Sequence, residues 1–163
     1  MRTPTRNSRF VAAILGAALA LIAVAGPVAA GSTQQVTIVS HVTFNPDGPN
    51  FGDFTATGAA ADNGMICPGG TFVDTGIRFA GFQSVRGTVQ LQVNKTFTCD
   101  DGSGTFDMKM QIHANFDTGI ESFTWVVTGG TGAYSRLHGS GTGSTVPNPP
   151  IGNINTFAGF VLR

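Results

Sequence analysis

From residue 31 onward, apolar residues recur at every second position in short runs, and glycine, proline, asparagine and aspartate separate the runs. Side chains of a strand alternate between its two faces, so this period marks half-buried antiparallel strands. Val36, Ile38, Val42 and Phe44 form one face of a first strand, opposite Thr37, His41 and Thr43. The turn sequence Asn45 to Asn50 follows, then a second strand over 51–59, an excursion over 60–70, and a third strand over 71–79. Between residues 88 and 97, Val89, Leu91, Val93 and Phe97 alternate with Gln90, Gln92, Asn94 and Thr96. A turn over 99–104 joins this strand to the run Phe106, Met108, Met110, Ile112, Ala114 and Phe116, predicting a hairpin. After a turn at Asp117-Thr118-Gly119, Phe123, Trp125 and Val127 mark a sixth strand, and further strands are expected near 139–146 and over 154–162.

About eight strands at such spacings predict an all-β domain, a single antiparallel β-barrel, with a β-sandwich as the alternative. Closure is favoured because the last strand is as apolar as the central ones, which calls for a neighbour on both edges. An eight-strand barrel is either filled by side chains or holds one small ligand. Composition agrees: past residue 30 there are three leucines but twelve phenylalanines and twenty-one glycines, a mixture suited to strands and tight turns.

The first thirty residues differ. Arg2, Arg6 and Arg9 precede an apolar run over 10–25, and Val28-Ala29-Ala30 supplies small residues for a signal peptidase. The expected organisation is a secretory signal peptide over 1–30 and a barrel domain over 31–163, secreted to the extracellular side, with no stable membrane span after cleavage. Six bases then face nine acids, a net charge of −3 that disfavours nucleic acid and anionic lipid. The two cysteines, Cys67 and Cys99, are expected to pair in an oxidising compartment.

Candidate chemistry is sparse. The inward faces assigned above are almost wholly apolar, whereas catalysis needs a titratable group within hydrogen-bond reach of substrate. Binding of a small apolar or aromatic ligand is therefore expected ahead of catalysis, without a cofactor. Tyr134, Arg136 and His138 form the one group in which donors, an aromatic ring and glycine-rich backbone converge, and they are the candidate ligand-binding residues. Asp100, Asp101 and Ser103 do not follow the ligand spacing of a calcium loop, so no metal site is expected. Asn94-Lys95-Thr96 has the form of a glycosylation sequon.

The segment Thr128-Gly129-Gly130-Thr131-Gly132-Ala133-Tyr134-Ser135-Arg136-Leu137-His138-Gly139-Ser140-Gly141 resembles the glycine-rich stretch of the allene oxide cyclase barrel superfamily, which includes the dirigent proteins. Gly129, Gly130, Gly132 and Gly139 are read as a structural turn, with Tyr134 turning back to plug one end of the barrel. The resemblance implies a β-barrel with a hydrophobic cavity and allows a homo-oligomer. Cyclisation or stereo-directed coupling is the enzymatic alternative, and an extracellular interaction module is the third. Outside the glycine turn, none of the relatives' polar site residues aligns with this chain.

Overall fold

A computed structural model describes residues 31–83, 87–115 and 120–163. The signal-peptide expectation and the Asp117-Thr118-Gly119 turn therefore lie outside the described residues.

Residues 31–163 form a closed antiparallel barrel in which each strand pairs with the next and the last pairs with the first. The strands are β1 (Gln34–Thr43), β2 (Phe51–Thr57), β3 (Gly69–Gln83), β4 (Thr88–Cys99), β5 (Thr105–Asn115), β6 (Ile120–Gly130), β7 (His138–Pro147) and β8 (Gly152–Leu162). The barrel is the expected architecture rather than the sandwich, and β8 is hydrogen-bonded on both edges, to β7 and β1. The second strand is shorter than expected because Gly58, with φ 94°, turns the chain into a one-turn helix α1 (Ala59–Asp62). The third is longer, and a bulge between Asp74 and Gly76 switches its inward positions from Phe72 and Asp74 to Ile77.

Phenylalanines fill the lower half of the barrel. Phe97 stacks on Phe106 at 4.8 Å and meets Phe54 and Phe157 edge-on at 5.1 and 6.1 Å. Such offset and edge contacts add to the burial energy of the rings. Space for Phe123 and Trp125 comes from β7 and β8, whose inward positions include Gly141, Gly143 and Gly159. A Cβ on Gly143 would lie 2.2 Å from the Phe123 ring, and one on Gly159 would lie 2.5 Å from Trp125. The alternating glycines of β7 are therefore packing positions within a strand.

The two ends of the barrel differ. At one end lie the β2–β3, β4–β5 and β6–β7 connections. Here Tyr134, on a 3-10 turn over Gly132–Tyr134, is buried against Phe106, and its hydroxyl lies 2.7 Å from Ser103 Oγ. The Cys67–Cys99 disulfide joins the β2–β3 excursion to the end of β4. Arg163 lies over the Tyr134 ring and donates to the carbonyls of Ala133 and Gly64. This is the closed end. The other end carries the 44–50 and 148–151 connections.

Candidate functional site

The barrel interior beneath the 44–50 and 148–151 connections is a cup, and its chemistry follows from strand parity. On β4 the inward phase of Val93 and Phe97 includes Lys95 between them, and on β3 Phe72 shares its face with Asp74. The two are register partners, and Lys95 Nζ donates to Asp74 Oδ1 at 2.5 Å with both side chains 3–4 % exposed. Asn50 Nδ2 donates to the other Asp74 oxygen at 3.1 Å, tying the β1–β2 loop to the pair, and the Lys95 ammonium lies 4.4 Å from the centre of the Phe72 ring. Burial lowers the Lys95 pKa from its ordinary 10.5, outweighing the opposing pull of Asp74.

A second polar row crosses the opposite wall. Glu121 on β6, Thr145 on β7, Asn155 on β8 and Ser40 on β1 are successive register partners. Thr145 Oγ1 donates to Asn155 Oδ1 at 2.9 Å. Ser40 Oγ and Asn153 Oδ1 are buried without a hydrogen-bond partner among the described residues. Buried polar atoms are ordinarily paired, so such exceptions mark places where a water or a ligand completes the site.

These groups surround two adjoining hollows. The inner one, about 160 Å³, has Met110, Val93 and Val42 among its apolar lining and Lys95, Asp74 and Asn155 among its polar lining. The outer one, about 120 Å³, shares Phe44, Glu121, Thr145 and Asn153 with it and adds Pro147 and Gly152. Each is smaller than the roughly 300 Å³ at which pockets for drug-sized ligands begin. An apolar cavity of about 150 Å³ accepts a single benzene ring, and that is the scale of the inner hollow. Exposed apolar side chains stand around this end: Phe44, Phe51, Ile77, Phe79, Val146 and Ile151.

The almost wholly apolar interior expected from the sequence is thus corrected. Lys95, Asp74, Ser40, Thr145 and Asn155 are buried polar residues on inward strand positions. The signal was available at Lys95, Ser40 and Glu121, each two residues from an inward apolar neighbour. At Ile77 it was not, because a bulge has no reliable sequence mark.

The candidate residues Tyr134, Arg136 and His138 sit at the closed end, and none of them lines the cup. Tyr134 is a buried plug, while Arg136 and His138 are exposed. Gly132 takes φ 57° at the turn, whereas Gly129 and Gly130 end β6 and Gly139 belongs to β7. His41 and His113 face outward, His41 lying 2.9 Å from Asp53. Asp101 accepts from the Ser103 amide and hydroxyl in its own turn, and these bonds hold its carboxyl below the usual range. Among the described residues no helix is long and apolar enough to cross a membrane. No protein-family model matches the chain, and no curated protein matches it either.

Proposed function

We propose that this protein is an exported binding barrel that holds a small molecule, or one end of a larger one, in the cup at its open end. One observation carries the reading: the barrel is plugged by aromatic packing at one end and hollow at the other, where buried polar groups converge in an apolar surround. Binding sites of this kind combine an apolar body with a few oriented polar groups. The apolar residues about the mouth favour entry of an apolar ligand. Export is supported by the arginine-led apolar leader and by the disulfide, which is compatible with an oxidising compartment. The closed eight-strand meander is also compatible with membership of the cyclase-like barrel superfamily, and hence with a homo-oligomer.

A second reading, a cyclase- or isomerase-like enzyme, is favoured by the Lys95–Asp74 pair. A buried lysine whose pKa is lowered is a group that proton-transfer catalysis can use. Binding stands first because that ammonium is already engaged by Asp74 at 2.5 Å.

Native mass spectrometry of protein recovered from its producer, without reduction or solvent exchange, tests the binding reading. A reproducible adduct is expected, released on denaturation and absent from Ile112→Trp, which fills the inner hollow. An adduct that persists in Ile112→Trp would place the ligand elsewhere. A clean apo mass, together with no response to small aromatic compounds at millimolar concentration, would overturn the reading.

A further inference from the structure

The unpaired Ser40 hydroxyl lines neither hollow, and the unpaired groups that do, Glu121 and Asn153 Oδ1, are acceptors. Among the described residues, three charged side chains line the inner hollow: Asp74, Lys95 and Glu121. Lys95 is matched by Asp74, and Asp74 is further satisfied by Asn50. Glu121 has no cationic partner among the described residues and lines both hollows. Asn153 also lines both, and its Oδ1 is a buried acceptor without a donor. Among the described residues, the outer hollow has no lysine, arginine or histidine in its lining. A carboxylate or phosphate entering it would meet the Glu121 carboxylate and, among the described residues, no free cation. A neutral hydroxyl would satisfy Asn153 but leave the Glu121 charge unmatched.

Resting on the binding reading above, we propose that the cup selects a small organic ammonium compound, a protonated amine on an apolar body of about one ring. The body occupies the inner hollow against Val93, Met110 and Ile112. The ammonium lies in the outer hollow, donating to the Glu121 carboxylate and to Asn153 Oδ1, with the Phe44 ring beside it. A charged donor on a carboxylate makes a stronger hydrogen bond than a neutral pair, and an aromatic face adds attraction for a cation. Lys95 does not oppose this arrangement, because its charge is neutralised within the floor and it does not line the outer hollow.

Three probes of one shape test the assignment: benzylamine, benzyl alcohol and benzoate, titrated at pH 7 into the isotope-labelled protein and followed by amide chemical shifts. Benzylamine is expected to shift cup residues at least tenfold more tightly than benzyl alcohol, with no response to benzoate. Glu121→Gln should bring the amine and the alcohol within about twofold of each other while leaving the alcohol unchanged. Equal affinity of amine and alcohol in the wild type, tighter benzoate, or a preference that survives Glu121→Gln overturns the ammonium assignment and leaves the cup standing. Silence of the cup residues with all three probes removes the binding reading as well.

Discussion

Replacing Lys95 by methionine keeps most of the stem's packing but leaves the Asp74 carboxylate 4 % exposed with only Asn50 as a side-chain partner. Removing one partner of a buried ion pair costs about 3–5 kcal/mol, because the remaining charge is left uncompensated. At a urea slope of about 2 kcal/mol/M, the midpoint should fall by about 2 M. The double variant Lys95→Met/Asp74→Leu removes both charges and should recover most of that loss. What remains is the orphaned Asn50 amide, about 1 kcal/mol. Urea denaturation of the wild type, both single variants and the double variant closes the thermodynamic cycle. If Lys95→Met costs less than about 1 kcal/mol, the pair behaves as a hydrated surface pair. The premise that Asp74 neutralises Lys95 out of water would then fail, and the charge argument for the cup with it.

Lys95 also makes a pH prediction. Because its folded pKa is lowered, between that value and the ordinary 10.5 the unfolded chain holds a proton the folded chain has released. Stability relative to Lys95→Met should therefore rise with pH through that window; a flat or falling difference in unfolding free energy refutes the lowered value. Replacing both cysteines by alanine opens a crosslink between residues 32 apart, and the chain-entropy model gives a loss of about 3–4 kcal/mol, measurable by thermal denaturation against the oxidised protein. Gly143→Ala drives a methyl group into the Phe123 ring and should cost about 1–3 kcal/mol; a neutral effect would mean that the ring has room to move. Arg136→Ala and His138→Ala, at the closed end, should leave both the melting temperature and cup binding unchanged, and loss of binding in either would return the site to the glycine segment.

Along β4 and β5 the sequence determined the strands and the direction of their faces, because period-two alternation is a local property and burial of one face sets the register. The number of strands and the preference for closure over a sandwich followed from the same pattern, and the pairing of Cys67 with Cys99 from their number. The glycines of β7 were harder to read. A strand is expected near 139–146, but the reason for its alternating glycines appears only when the rings of Phe123 and Trp125, from a neighbouring strand, are seen to occupy the space of the missing side chains. The cup was the least legible part. Lys95 and Glu121 stood in the inward phase, but a charge in that phase has meaning only when its partner is known, and Asp74 and Asn50 lie 21 and 45 residues before Lys95. A bulge near residue 75 reset the parity of β3, and barrel closure brought β8 beside β1. Alternation decides which face a residue takes, whereas only the closed barrel decides which polar groups share an interior and which of them are left without a partner.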